Sequence, residues 1–307
     1  MSTAARTTTD SLPDPATADA ARTDRTPRRP APSRRRRGRA GLLARTLAAV
    51  VVSLLVIAPL YWMLVVALSP RSELLGSELR LWPRQLTWDN VDRVFSSFPV
   101  VEWFGNSVAI SLSVAILTTA VNLLAGYAFA HLRFRGSTVL FFVALATLTI
   151  PVQVIMVSLF RIVTGLHLYG TYWAVILPSA ASAFGLFLAR QFLLGVPREL
   201  IEAARLDGAS HLRVFTRVVL PMSWPLVAVL FFMSLLQSWN EFAWPLIALR
   251  ENRLFTLPIG LLYLQGQFNA DYGATMAFAL VNVVPIVVVF LLFQRFFVQG
   301  FARSGIR

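Results

Sequence analysis

Long apolar runs, separated by short polar segments, dominate the chain beyond residue 46. Six of them, at 47–68, 107–130, 139–160, 172–192, 222–249 and 276–297, each reach about 20 residues or more, enough to cross the hydrocarbon core of a bilayer as a helix. None alternates apolar with polar residues at a period of two, which disfavours a membrane β-barrel. The pattern therefore predicts an all-α integral membrane protein with six transmembrane helices. The first run exceeds the ~7–15-residue core of a cleaved signal peptide, so it is expected to stay as a helix. Pro151, Pro178 and Pro285 lie inside the runs and predict kinks, whose freed carbonyls neighbouring groups must satisfy.

Composition agrees with the pattern. Of 307 residues, 56% are hydrophobic and 14% charged, against about 25% charged in a soluble domain. There is no cysteine, so no disulfide or thiolate chemistry is available. All 28 basic residues are Arg. A P-loop needs a Lys to reach the β- and γ-phosphates of ATP, so any ATP hydrolysis must come from another polypeptide.

Charge placement orients the chain. Residues 1–40, rich in Ser, Thr, Pro, Ala and Arg, read as a disordered basic tail ending in Arg34-Arg35-Arg36-Arg37-Gly38-Arg39. Its position directly before a membrane run makes it a topogenic, lipid-facing tail and not a nucleic-acid binder. With that end inside, the inner face also collects Arg133, Arg135, Arg190, Arg198, Arg205, Arg213, Arg217, Arg295, Arg303 and Arg307. The positive-inside rule then makes both termini cytoplasmic. The outer segment 69–106 carries Trp82, Trp88 and Phe98, and is expected to be partly ordered along the membrane surface.

The longest inner loop, 195–221, has its own local grammar. Pro197 fits a helix start, and Glu199 and Glu202 suit the positive end of the helix dipole. Gly208 can take the left-handed conformation that ends a helix, and Ser210 can cap the next one, which Pro221 leads into a crossing. Arg198 with Glu202, and Glu202 with Arg205, are spaced to pair within the first helix.

The same loop reads Glu202-Ala203-Ala204, three residues, Gly208, nine residues, Val218-Val219-Leu220-Pro221. It resembles the signature loop of binding-protein-dependent ABC importer permeases, with Val218 where that family has Ile. Leu177-Pro178, Phe187-Leu188-Ala189-Arg190-Gln191-Phe192, Ser238-Trp239-Asn240-Glu241 and Trp244-Pro245-Leu246 are similar to the carbohydrate-type branch, and Gln299-Gly300 to its maltose-type second permeases. The ending Ser304-Gly305-Ile306-Arg307 departs from that pattern. The resemblance spans 42–307. It implies a permease over 41–307, with the ABC-importer transmembrane domain at about 103–297.

It also implies a cytoplasmic coupling helix between the fourth and fifth crossings, seated on a separate ATP-binding subunit. Its coupling-loop residues would be Glu202, Ala203, Ala204, Asp207, Gly208, Leu220 and Pro221. The implied partners are two ATP-binding subunits, a second homologous permease and an extracytoplasmic solute-binding protein, with a sugar as cargo. No metal or other cofactor is implied.

Asn122, Gln153, Gln237, Asn240, Glu241 and Asn282 are polar residues inside the apolar runs. Most are expected to bond helix to helix, and Gln237 and Asn240 are the candidates for lining the solute path. An intramembrane enzyme finds no support: His131, His167 and His211 fall in three different predicted loops, and neither Gly-x-Ser-x-Gly nor His-Glu-x-x-His occurs. The nearest rival is an importer of peptides, amino acids or another small solute.

Overall fold

The computed structural model describes residues 34–74, 81–267 and 271–304, with side chains over 41–74, 81–266 and 271–294. Most of the basic tail, 1–33, lies outside these residues. Every described element is helical or irregular, and no strand occurs among them. The chain divides after Val56 into two compact units. The first holds the start of helix α1, Arg34–Ala67, which begins inside the segment read as a tail and exposes Leu43, Leu47, Leu54 and Val56. The second unit carries the remaining elements.

Its organising element is α3, Val100–His131. Amphipathic α2, Asp89–Ser97, precedes it and supplies order expected of segment 69–106. Three core clusters lie along α3: one around Val100 and Trp103, one around Ile110 and Val114, and one around Leu123, Tyr127 and Ala130. Against α3 pack α6, Ala183–Leu193, and α8, Trp224–Asn240. The approach to α6 is close because the contacting residues are small. A Cβ on Gly126 would stand 2.5 Å from the Ala189 Cβ, and one on Gly185 would collide with the Asn122 amide.

Three helices, Gly41–Ala67, Val100–His131 and Tyr272–Gln294, are long and apolar enough to cross a membrane singly. The last belongs to α11, Tyr272–Ser304, which runs unbroken through Pro285. The third predicted crossing is instead α4, Ser137–Ala146, and α5, Val152–Gly165, bent by 107° about Thr147–Thr149 and Pro151. A second pair, His211–Met222 and Trp224–Asn240, is bent by 84°, so the described residues hold three to five candidate spans. The fourth predicted crossing is a short helix, Trp173–Ile176, followed by irregular backbone around Pro178 and then α6. The fifth stops at Asn240 and resumes as α9, Ala243–Ala248. The sequence reading also placed no helix where α10, Leu257–Gln267, lies.

The breaks expose backbone groups, and polar side chains of α3 take them up. Asn106 Nδ2 donates to the carbonyls of Arg253 (2.7 Å) and Phe255 (2.9 Å), while its Oδ1 accepts from the Tyr172 hydroxyl (2.7 Å). Ser107 Oγ accepts the Leu257 N–H at 2.8 Å. Thr118 Oγ1 donates to the Ser179 carbonyl at 2.6 Å, and Asn122 Oδ1 accepts the Ser182 N–H at 3.3 Å. Asn122 thus ties α3 to the cap residue of α6, the helix-to-helix bond expected of an intramembrane amide, whereas Gln153 sits at an exposed position of α5.

Asn106→Ala would leave two carbonyls and one hydroxyl without their partner. It should lower stability in detergent by about 3 kcal/mol, at about 1 kcal/mol or more for each orphaned buried group. Gln153→Ala should change it by less than about 0.5 kcal/mol. Thermal unfolding of the two variants side by side checks this.

Candidate functional site

The 195–221 loop folds as its local chemistry dictates. Pro197 is the N-cap of α7, Arg198–Leu206, one position before its expected place, and Glu199 stands in the first turn. Asp207 closes the helix and Gly208 follows at φ +84°. The Gly208 N–H bonds to the Arg205 carbonyl and the Ala209 N–H to the Ala204 carbonyl, both at 3.0 Å. This bond pair is a Schellman turn, which requires a left-handed residue at Gly208. Nothing crowds the position, so the turn needs glycine for its φ and not for space. Ser210 Oγ then accepts the Arg213 N–H at 3.4 Å and caps the helix from His211. Phe215–Val219 widens into a π-helix just before Pro221, which has no N–H to continue the ladder.

α7 has two faces. Ile201 is buried, and Ala204 and Ala209 pack beside it on the cluster that includes Tyr127, Val214 and Val219. Glu202, Ala203, Asp207 and Gly208 are exposed, and Leu206 is 89% exposed. The expected Arg198–Glu202 and Glu202–Arg205 pairs do not form. Among the described residues the ion pairs are Arg93–Asp271 and Arg253–Glu251. Arg205 Nη1 donates instead to the Ala209 carbonyl at 3.1 Å, which the turn at Gly208 brings into its reach. Glu202 borders a recess of about 730 Å³ together with His131, Arg133, Arg198 and His211. His131 ends α3 and does not lie in a loop; its Nε2 bonds to the Leu193 carbonyl at 2.9 Å. Leu220 is half-buried against the α7 cluster, and Pro221 lies at the bend into α8.

A second recess, about 670 Å³, opens beside α8 and is bordered by Ser182, Ser234, Gln237, Asn240 and Glu241 among apolar residues. A smaller one of about 220 Å³ shares Ser182, Ser234, Gln237 and Glu241 with it and adds Thr118, Ser179 and Ser238. The structure thus brings Gln237 and Asn240 to one cavity wall. Asn240 Nδ2 donates back to the Leu236 carbonyl at 2.8 Å. Glu241 is not inside a helix. It sits in the break between α8 and α9, where Oε1 accepts the N–H groups of Ala243 (3.0 Å) and Trp244 (3.3 Å).

Residues 122–303 match the family described as binding-protein-dependent transport system inner membrane component. The chain belongs to that family. This inner membrane component is 35% identical over 268 residues to the arabinooligosaccharides transport system permease protein AraQ of Bacillus subtilis (strain 168), covering 86% of this chain and 95% of that protein. It is 31% identical over 259 residues to the sn-glycerol-3-phosphate transport system permease protein UgpE of Yersinia pestis bv. Antiqua (strain Antiqua), covering 82% and 92%. Its fold matches a chain of a bacterial ABC transporter involved in the import of the acidic polysaccharide alginate, at a TM-score of 0.76 and 20% identity, covering 88% of this chain and all of that one.

Sequence reasoning about this inner membrane component missed Ser182 and Ser234 as cavity residues and the capping role of Glu241. A signal for the cap was available: an acid two residues before Ala243-Trp244-Pro245, with Pro245 in the first turn, is the grammar of a helix start. Glu241→Ala removes the acceptor of two N–H groups and should lower stability by about 1 kcal/mol. Glu241→Gln keeps an acceptor oxygen and should retain most of it. Unfolding midpoints in detergent, with the two variants ranked, are the check.

Proposed function

We propose that this permease moves an uptake solute, a sugar, into a bacterial cell, driven by ATP that a separate subunit hydrolyses. The observation that carries the reading is the turn at Gly208. It holds a short helix outward, its inner face packed on α3 and its outer face offering Glu202, Ala203 and the largely exposed Leu206 to a partner. Ala203 and Leu206 make part of that exposed face apolar, and Ala203 keeps it low in bulk, which suits the close approach of a partner. α7 is then the coupling helix, and ATP-driven closure of two ATP-binding subunits shifts it and rocks the crossings between outward- and inward-facing states. The family's description supports delivery by an extracytoplasmic binding protein, and the maltose-type resemblance supports a second permease beside this one. Sugar as cargo draws on the arabinooligosaccharide permease, at 35% identity against 31% for the glycerol-3-phosphate permease.

Six crossings with both termini cytoplasmic complete the reading, in the cell membrane and with the basic tail against anionic lipid. They require α6, with the short helix Trp173–Ile176, to complete a crossing that its length alone does not. The Arg-rich side is then inner, and the recess of Arg133, Arg198, His131 and His211 opens there. A reporter that is active only in the cytoplasm should be active when fused after Arg307; activity of a periplasm-only reporter at that point would sink the topology.

Purified without partners, the chain should neither bind nor hydrolyse ATP, for want of any Lys or P-loop. Gly208→Val puts a β-branched residue at a φ it does not tolerate. Insertion should persist, since it depends on apolar length, while ATPase co-purification and uptake into membrane vesicles should be largely lost. Glu202→Ala should act in the same direction more mildly. Normal ATPase association and normal uptake in Gly208→Val would remove α7 as the coupling element.

A further inference from the structure

The two adjoining recesses beside α8 have an unusual charge inventory. Their polar lining is hydroxyl and amide, from Ser182, Ser234, Gln237, Ser238 and Asn240, with one exception. Among the described residues Glu241 is the sole ionisable side chain that borders either, and neither is bordered by Arg or His. Its Oε1 holds the Ala243 and Trp244 N–H groups, while no donor among the described residues reaches Oε2. The backbone donors at this break, which could otherwise have received a negative cargo group, are therefore already taken by a carboxylate.

We propose that Glu241 is a charge filter: the recess admits uncharged polyhydroxylated solutes and rejects anionic ones. The proposal rests on the transport reading above, and assigns the chemistry of its cargo. A second negative charge beside Glu241, with no counter-cation on the wall and protein on several sides, is repelled more strongly than in bulk water. A hydroxyl meets the opposite situation, since Oε2 can accept from it and the Gln237 amide can both accept and donate. The fold does not dictate this sign, because a transporter of the same fold is involved in importing an acidic polysaccharide. The discriminating feature is the residue set at this wall.

The absence of native cysteine allows a test that does not depend on knowing the cargo. Gln237→Cys places a single thiol in this chain, at the wall next to Glu241. In membrane vesicles from cells expressing the complete importer, the thiol is treated with three methanethiosulfonate reagents. One carries trimethylammonium, one sulfonate and one neutral hydroxyethyl, and each rate is divided by that with 2-mercaptoethanol. Labelling of this chain is read on a denaturing gel. With Glu241 in place, the cationic reagent should outpace the anionic one by about tenfold or more. Adding Glu241→Gln, which keeps the α9 cap, should bring that ratio close to one.

A ratio unaffected by Glu241→Gln overturns the proposal, and so does a thiol that none of the three reagents reaches. ATP-dependent uptake of arabinotriose by vesicles carrying the unsubstituted chain is followed separately. If the charge preference appears but arabinotriose is not taken up, the arabinooligosaccharide cargo fails and the filter stands as a property of the cavity.

Discussion

A backbone N–H or C=O placed in hydrocarbon has no water to bond, so any break in a membrane helix must be answered by another part of the protein. In this permease the answer comes mainly from α3. Its polar residues Asn106, Ser107, Thr118 and Asn122 lie on buried faces of an otherwise apolar helix. Between them they take up the carbonyls of Ser179, Arg253 and Phe255 and the N–H groups of Ser182 and Leu257. Each acceptor or donor belongs to a segment where a neighbouring element starts, stops or bends. Without these bonds the irregular backbone around Pro178 and before α10 would leave polar groups unpaired against α3.

The breaks in turn make the cavity. A continuous helix would have carried the polar residues of 234–241 around its surface. Ending α8 at Asn240 instead turns Glu241 to cap α9, while Gln237 and Asn240 remain on the wall. Ser182, at the start of α6, gives its N–H to Asn122 and borders the same recess. The hydrogen bonds that permit irregular backbone are thus also the ones that collect hydroxyls and amides around a space.

The C-terminal end of α3 is tied to the 195–221 loop by packing. Leu123, Tyr127 and Ala130 share one buried cluster with Ile201 of α7, with Val214, Phe215 and Val219, and with Leu226 and Leu230 of α8. A displacement of α7 therefore meets α3 and α8 through close-packed side chains, which transmit strain instead of absorbing it. The π-helix at Phe215–Val219 and the 84° bend lie on this route, and such irregular turns are the places where a helix can change its path.

What was legible in the sequence shares one property: it is local. Apolar run length marked the membrane class and the helical architecture, because spanning is decided by a stretch of consecutive residues. Pro197, Gly208 and Ser210 could be read as a start, a left-handed turn and a cap because φ preferences and capping act over a few residues. What was not legible depends on partners distant along the chain. Whether 139–160 or 222–249 would run straight depended on which groups stood ready to satisfy a break, and Asn106 meets Phe255 across 149 positions. Arg205 took the Ala209 carbonyl in place of Glu202 because the folded turn put it within reach. Glu241 read as a residue within a crossing and proved to be a cap at a cavity wall, since hydropathy averages over a window and does not register where the hydrogen-bond ladder stops. The sequence alone determined that this chain spans a membrane as helices and carries a sharply turned loop at 195–221. Only the tertiary structure decided which helices break and what their freed groups enclose, because a break in a low-dielectric medium survives only where the rest of the fold supplies its missing hydrogen bonds.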